Sequence, residues 1–244
     1  MIEVQQLTKR FGAITAVDDV SFTARPGHVT ALVGPNGAGK TTTLRMLLGL
    51  AHPTSGLATV SGVRYADLPT PLTAVGAVLE ESGFHPSRTA RTHLTALALA
   101  AGLPADRVGH VLDLVELTYA TDRRVGRYSL GMRQRLGLAA ALLGEPATLV
   151  LDEPHNGLDP KGTRWLRQRL RGFAAEGRTV LVASHLLTEM SEVADDVVVL
   201  SGGRVVLQSP LDEVLARHAS ASHGAPARLE DVFLQLTDAM EAKS

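Results

Sequence analysis

The segment from Gly34 to Thr41, GPNGAGKT, constrains this chain more than any other stretch. It fits Gly-x4-Gly-Lys-Thr, the pattern of a phosphate-binding loop. The apolar run from Val29 to Val33 predicts a buried strand before it, and Lys40 to Gly49 predicts a helix after it. Glycines let backbone N–H groups curl around phosphates, and the helix N-terminus adds the positive end of its dipole. The alternative is a turn that only joins the strand to the helix. That alternative does not explain why Gly-Lys-Thr stands between a predicted strand and a predicted helix.

Composition limits the classes of protein that this sequence can encode. The chain has 244 residues, no cysteine and a formal net charge of −1, so disulfides and thiolate metal sites are excluded and nothing indicates a nucleic-acid footprint. The N-terminal residues lack the apolar segment of a signal peptide. The apolar stretches are too short to cross a bilayer. We therefore expect a chain that is soluble alone, with any membrane role supplied by a partner.

The order of predicted elements indicates an α/β fold with a mostly parallel core sheet, an N-terminal antiparallel β part and an inserted helical lobe. A helix over about 161–175 between two apolar strands predicts a right-handed β-α-β unit. We expect one domain over 1–220, with the helical lobe at about 86–145, and a linker with a short helix over 221–244. Strands are predicted at 2–7, 20–23, 29–33, 58–61, 75–79, 148–151, 179–183, 197–200 and 204–207.

Two carboxylates, Asp152 and Glu153, follow the apolar strand predicted over 148–151. Ligands bind at the carboxyl ends of strands in a parallel sheet. Asp152 is therefore expected to hold Mg²⁺ through water beside Thr41. Glu153 is expected to accept a proton from the water that attacks the γ-phosphate, while Lys40 reaches the β- and γ-phosphates. A solvated Asp-Glu pair at a strand end is the alternative, and the phosphate loop argues against it.

His185 occupies a similar position, directly after Ser184 and the strand predicted over 179–183. A histidine there can hydrogen-bond a γ-phosphate oxygen or hold the attacking water. The other histidines are expected on the surface or in packing. These include His155, which stands out among them because it directly follows Glu153 and Pro154.

These motifs together resemble the nucleotide-binding subunit of an ATP-binding-cassette transporter, over roughly residues 2–236. Phe11 before Gly12 matches the aromatic residue that stacks on adenine in this family, with a core aromatic as the alternative. The matching segments follow the family's order: the phosphate loop at 34–42, the signature segment YSLGMRQR at 128–135, the strand end at Asp152 and Glu153, the D-loop GLDP at 157–160, and His185.

The resemblance implies the P-loop NTPase fold and an ATPase that uses ATP and Mg²⁺. It assigns catalysis to Glu153, His185 and Glu80, and Mg²⁺ to Thr41, Asp152 and Glu80. The ATP-binding residues that it implies are Phe11, Val17, Gly34, Pro35, Asn36, Gly37, Ala38, Gly39, Lys40, Thr41 and Thr42.

The signature segment implies that one chain is not a complete enzyme. In the family, Ser129 and Gly131 would contact the γ-phosphate of ATP bound to the opposite subunit, at a helix N-terminus suited to anions. Two cassettes would close head to tail around two ATP molecules, with Asp159 coupling the sites at their interface. ATP occupancy would drive closure and hydrolysis would drive opening. The second cassette is either another copy of this chain or a paralogous one.

Two positions depart from the family's usual pattern. Glu80 replaces a glutamine that touches both Mg²⁺ and the attacking water, and a carboxylate can make the same contacts with an added charge. The signature reads Tyr-Ser-Leu-Gly-Met rather than Leu-Ser-Gly-Gly-Gln, but its serine and second glycine are kept. We expect activity to survive both changes.

The variant motifs, with the tail segment LEDVFLQL at 229–236, resemble bacterial drug- and antibiotic-export ATPases. The resemblance implies a separate integral membrane permease, whose coupling helix enters a groove formed by the helical lobe and residues 80–91. The chain would lie peripherally on the cytoplasmic face of the cell membrane, with no nucleic-acid partner. The alternatives are an importer ATPase and a soluble cassette that acts on ribosomes or DNA-repair complexes. The soluble class usually has paired cassettes or a coiled-coil insertion, which this sequence lacks.

Overall fold

The computed structural model describes residues 1–79, 83–221 and 229–234. The chain divides into two compact units, one formed by Met1–Asp67 with Leu170–Ser244 and the other by Leu68–Arg169. The strands are β1 (Ile2–Phe11), β2 (Ile14–Ala24), β3 (Val29–Val33), β4 (Ser55–Val60), β5 (Val75–Val78), β6 (Thr148–Asp152), β7 (Thr179–Ser184), β8 (Asp196–Ser201) and β9 (Arg204–Pro210). The helices are α1 (Lys40–Leu47), α2 (Pro71–Ala74), α3 (Ala90–Ala100), α4 (Arg107–Leu114), α5 (Leu130–Leu142), α6 (Pro160–Ala175), α7 (Leu187–Ser191) and α8 (Leu211–Ala221).

The first unit contains an antiparallel sheet and a mostly parallel group of strands. In the antiparallel sheet, β1 lies between β2 and β4. In the second group β3 pairs in parallel with β7 and with β8, and β9 pairs with β8 in the antiparallel sense. Every residue of β3 and β7 is buried, as expected for parallel strands covered on both faces. The apolar core of this unit therefore surrounds the strand that leads into the phosphate loop.

The second unit combines a parallel strand pair with helices. β5 and β6 pair in parallel, with Val78 opposite Leu151. Helix α5 packs on β5 and on helices α3 and α4, and its buried side includes Leu136 and Leu142. Gly76 allows the close approach of α5, because a Cβ at this position would lie 2.1 Å from the carbonyl oxygen of Ala141. This packing fixes the helix that begins directly after Ser129.

The structure confirms the predicted fold class, with parallel pairings, an N-terminal antiparallel sheet and helices α3 to α5 between β5 and β6. The predicted hairpin after residue 196 is β8 and β9. Residues 229–234 are helical, within the short helix predicted for the tail. The boundary of the cassette domain at residue 220 stays a prediction. In the ranges that the structure describes, no helix is both long and apolar enough to cross a membrane.

Candidate nucleotide site and signature segment

The phosphate loop joins β3 to α1 in a path that two of its glycines make possible. A Cβ at Gly34 would lie 2.4 Å from the carbonyl oxygen of Leu200, and a Cβ at Gly39 would lie 2.6 Å from that of Ala16. Gly37 and Gly39 both have left-handed backbone conformations, with φ of 82° and 100°. Gly39 also begins α1, where its carbonyl accepts the N–H of Thr43 at 2.9 Å. Main-chain contacts thus hold the loop in the shape that a phosphate cradle requires.

The side chain of Lys40 folds back onto the start of the phosphate loop. Its side chain is buried, and Nζ donates to the carbonyl oxygens of Gly34 at 2.7 Å and Pro35 at 3.1 Å. Thr41 is half-buried in the first turn of α1. The remaining loop residues predicted to bind ATP, from Asn36 to Thr42, lie in the same turn and helix start. The loop therefore presents a fixed ammonium group and a hydroxyl beside the N-terminus of a helix.

Strand register brings His185 to the same edge of the first unit. β3 and β7 pair in parallel with Val33 opposite Ser184. The next residues along each strand are Gly34 and His185, so the phosphate loop and the histidine leave adjacent strand ends. Ser184 is fully buried, and its Oγ accepts the N–H of Leu186 at 3.0 Å, while His185 is exposed. His185 therefore follows a buried residue at the strand end next to the phosphate loop.

Phe11 lies at the tip of the β1–β2 hairpin and is 54% exposed, which fits a stacking surface better than a core position. Lys9 Nζ lies 5.0 Å from the centroid of the Phe11 ring and donates to the carbonyl oxygen of His52 at 2.6 Å. We did not predict this contact from the sequence, although residues two apart on a strand share a face.

Val17 is fully buried, with Cγ2 3.2 Å from where a Cβ of Gly39 would lie. Val17 therefore packs against the phosphate loop at Gly39.

Asp152 and Glu153 end β6 in the second unit. Asp152 is 1% exposed and Glu153 is 8% exposed. Glu153 has φ of 48°, a left-handed conformation that is uncommon for residues other than glycine. Its carbonyl oxygen accepts the N–H of Asn156 at 3.1 Å and lies 3.5 Å from Nε2 of Gln134 on α5. Backbone strain of this kind is concentrated at functional sites, and the sequence pattern had not revealed it.

Ser129 is the N-cap of α5, so the signature segment is a helix start. Its Oγ accepts the N–H of Met132 at 3.2 Å. A hydroxyl that accepts in the cap keeps its own hydrogen to donate. Ser129 is exposed and Gly131 is half-buried in the first turn. Below them, the buried Tyr128 donates from its hydroxyl to the carbonyl oxygen of Ala120 at 2.7 Å, and burial raises its pKa.

The D-loop follows Glu153 and begins helix α6. Asp159 is exposed, and its Oδ1 accepts the N–H of Gly162 at 2.7 Å, which caps the helix. Gly157 has φ of 76°. An open cavity of about 330 Å³ is lined by D-loop and signature residues, among them Ser129, Gly131 and Asp159. The structure thus brings all three of these predicted residues to one cavity.

Arg135 was part of the signature match, but the sequence assigned it no role. Its Nη1 donates to Glu116 Oε2 and to the carbonyl oxygen of Val115, each at 2.9 Å. Its guanidinium carbon lies 4.2 Å from the centroid of the Trp165 ring on α6. Arg135 therefore ties the signature helix both to the segment after α4 and to the helix that follows the D-loop. The pairing of Arg135 with Trp165 across 30 positions leaves no local signal in the sequence.

His155 is buried at 5% exposure, directly after Glu153 and Pro154. Among the described residues neither of its ring nitrogens has a hydrogen-bond partner. Burial and the nearby positive charge of Arg167 lower its pKa from 6.5 to about 4. The imidazole is therefore neutral at pH 7. Of the two placements expected for His155, the surface or the packed interior, the structure has the interior one.

The predicted Mg²⁺ ligands are oxygen donors, which suits a hard divalent cation. Thr41 supplies a hydroxyl at the start of α1, and Asp152 supplies a buried carboxylate at the end of β6. This donor chemistry fits Mg²⁺. Glu80, the third predicted ligand, lies outside the described residues, as does the neighbouring Glu81.

Comparison with known proteins agrees with this geometry. The family model described as "ABC transporter" matches residues 17–156. The bacitracin transport ATP-binding protein of Bacillus licheniformis is 38% identical over 221 residues, which cover 89% of this chain and 72% of the relative. The lantibiotic transport ATP-binding protein of Streptococcus pyogenes is 35% identical over 212 residues, covering 87% of this chain and 92% of the relative.

Solved structures show the same architecture. A chain described as the ATP-binding subunit of an ABC transporter superposes with a TM-score of 0.85 at 29% identity, covering 97% of this chain and 99% of that one. A cassette described as a dimeric bacterial ABC transporter cassette gives a TM-score of 0.79 at 23% identity, over 86% of this chain and 99% of the other, and shows the shared fold. The phosphate loop, the histidine at its edge and the signature helix start thus occur in a chain that belongs to the ABC transporter family as an ATP-binding subunit and ATPase.

Proposed function

We propose that this chain powers the export of a drug- or antibiotic-like compound through a separate membrane subunit. The observation that carries the ATPase part is the phosphate loop, whose glycines are required by main-chain contacts and whose edge is shared with His185. Export is supported by relatives named for the transport of bacitracin and of a lantibiotic. Both of those named cargoes are antibiotics.

In the proposed reaction, Lys40 and the loop N–H groups bind the phosphates of ATP. Thr41 and Asp152 would hold Mg²⁺, which would supply positive charge to the phosphates of ATP. Glu153 accepts a proton from the attacking water, and the imidazole of His185 hydrogen-bonds the γ-phosphate. Glu153 supplies, at the end of β6 and next to Asp152, the carboxylate that this proton transfer requires. Glu80 is proposed to share the contacts to the metal and to water.

We further propose that two cassettes close around two ATP molecules. Ser129 would donate its hydroxyl hydrogen, and Gly131 its N–H, to the γ-phosphate held by the other cassette. The cap geometry of Ser129 supports this role, because the local bond uses only the acceptor side of its hydroxyl. Asp159, exposed beside them, would contact the second subunit. The partner is either a copy of this chain or a paralogous cassette.

The proposed membrane partner is an integral permease, which places the chain peripherally on the cytoplasmic face of the membrane, without a nucleic-acid partner. The helical lobe offers a surface for a coupling helix. Phe84 stacks edge-on against His93 with ring centroids 4.9 Å apart, and Leu99 on α3 is 72% exposed. Phe84 is half-buried, and aromatic side chains are enriched at protein interfaces.

Co-purification from native membranes tests the proposal. The chain would be tagged at its N-terminus, and membranes would be solubilised in mild detergent with ATP and Mg²⁺. We expect a multi-spanning membrane protein in roughly equal amount. Recovery with ribosomal or DNA-repair proteins would overturn export and keep the ATPase. Transport assays with the recovered permease would separate an exporter from an importer.

A further inference from the structure

The signature turn and the D-loop touch each other within the second unit through one side chain. A Cβ at Gly157 would lie 2.3 Å from Cγ, 2.4 Å from Cδ2 and 2.8 Å from Cβ of Leu130. On the other side of the contact, a Cβ at Gly131 would lie 2.8 Å from the carbonyl oxygen of Gly157. The two segments are therefore as close as their glycines allow.

Leu130 cannot yield to a larger residue at position 157 by a change of rotamer. A rotation about χ1 moves its Cγ and Cδ2, but the Cβ position is set by the backbone at the start of α5. That Cβ alone would lie 2.8 Å from a new methyl group, which is closer than real Cβ atoms approach. Leu130 is also 60% exposed, so its burial in a core does not explain its position. Its defined contact is with the D-loop glycine.

This contact joins two helix starts that carry predicted functional side chains. Ser129, directly before Leu130, caps α5. Asp159, two residues after Gly157, caps α6 through the N–H of Gly162. Each cap fixes its side chain relative to its helix, and the Leu130–Gly157 contact fixes one helix start relative to the other. The stack of Arg135 on Trp165 joins the same two helices one turn further along.

We propose that Leu130 is a positioning residue that makes the signature serine and the D-loop aspartate move as one body. The inference rests on the proposed function, in which Ser129 contacts ATP on the second cassette and Asp159 contacts the other subunit. Closure at one nucleotide site would then shift the D-loop that serves the other site. Leu130 thereby links the two ATP sites and makes hydrolysis cooperative in ATP.

A mutant cycle in the full chain tests the link. Gly157→Ala should lower kcat about tenfold or more, because displacements near 1 Å at such sites can cost about a hundredfold. Leu130→Gly should restore most of that loss in the double variant, since it removes every Leu130 atom in the clash. The strain of alanine at φ of 76° is the same in both backgrounds and cancels in the cycle. Gly62→Ala is the matched control, with φ of 81° and no atom within 4 Å of the new Cβ.

Cooperativity supplies a readout that a purely structural role would not move. Leu130→Gly alone should lower the Hill coefficient for ATP toward 1 while ATP affinity of the monomer stays the same, and Leu130→Met should keep the wild-type value. If Leu130→Gly fails to fold, Leu130→Ala gives the same comparison. Equal losses from Gly157→Ala in both backgrounds, or an unchanged Hill coefficient, would overturn the inference.

The proposed function can fail separately from this link. A Glu153→Gln variant that forms no dimer with ATP would reject the closed pair of cassettes, whatever the cycle gives. A dimer that forms normally, together with an additive cycle, would reject only the role of Leu130.

Discussion

The phosphate loop and the D-loop both depend on glycine, but Gly157 of the D-loop faces a different kind of atom from the loop glycines. Gly34 and Gly39 face the carbonyl oxygens of other strands, while Gly157 faces the side chain of Leu130. A main-chain neighbour is the same for every sequence, so the first two positions tolerate only glycine. A side-chain neighbour can change together with its partner. The phosphate loop is thus fixed by backbone, while position 157 in the D-loop can change together with Leu130.

The largest expected effect concerns Glu153, which follows β6 in the second unit. Glu153→Gln should lower kcat about 10³-fold, since removal of a general base costs about 10²–10⁴-fold. ATP binding should persist and a stable ATP-dependent dimer should accumulate, measured by size exclusion with light scattering. Glu176→Gln, on an exposed turn, is the control. Normal turnover in Glu153→Gln would remove this carboxylate from its proposed role.

The next prediction concerns His155, a buried imidazole in the second unit. His155 has a pKa of about 4 when folded against 6.5 for an unperturbed histidine, so between these values only the unfolded chain binds the proton. Stability should therefore fall as pH drops from 6.5 to 4, by about 3 kcal/mol from this residue. Denaturant unfolding across this range measures the slope, and His155→Leu should reduce it. A slope unchanged in His155→Leu but reduced in the exposed His110→Leu would contradict the assignment.

Ser129→Arg separates the two regions directly. We expect hydrolysis to fall about a hundredfold, because an arginine in place of a γ-phosphate donor blocks closure, a loss comparable to removing one oxyanion donor. ATP affinity of the monomer, measured by calorimetry, should stay at the wild-type value. Loss of ATP binding in the monomer would show that Ser129 does not act on the other cassette.

Lys40→Ala is the converse test on the phosphate loop. It removes a cation expected to bind phosphate, so ATP affinity of the monomer should fall about thirtyfold, a typical value for a charge-assisted bond. Calorimetry in the Ser129→Arg background, in which closure is expected to be blocked, measures this affinity without dimer formation. An unaltered affinity would refute the interpretation of this loop.

The smallest expected effect concerns the hairpin tip. Lys9→Ala removes the ammonium group beside the Phe11 ring, and an exposed cation–π contact is worth about 0.5–1 kcal/mol. We expect the KM for ATP to rise about two- to fivefold through a less ordered ring. Phe11→Ala should raise it further, and no change in either variant would return Phe11 to a structural role.

Local patterns predicted much of this protein, and the misses have a common cause. The strands β3, β6 and β7 were predicted because unbroken apolar runs are characteristic of buried parallel strands. Helix α7, with five residues, was missed because it is too short to show a helical period. The left-handed Glu153 and the stack of Arg135 on Trp165 were missed because neither leaves a mark in neighbouring residues.

The sequence by itself determined the phosphate loop, the carboxylates at the end of β6 and the helix start at the signature segment, because these depend on residues close together in the chain. Tertiary structure decided which of them meet. The register of β3 on β7 brought His185 beside the phosphate loop, and packing of α5 brought Leu130 against Gly157. Strand register and helix packing are set by the burial of many distant apolar side chains at once. No single motif in the sequence carries that information.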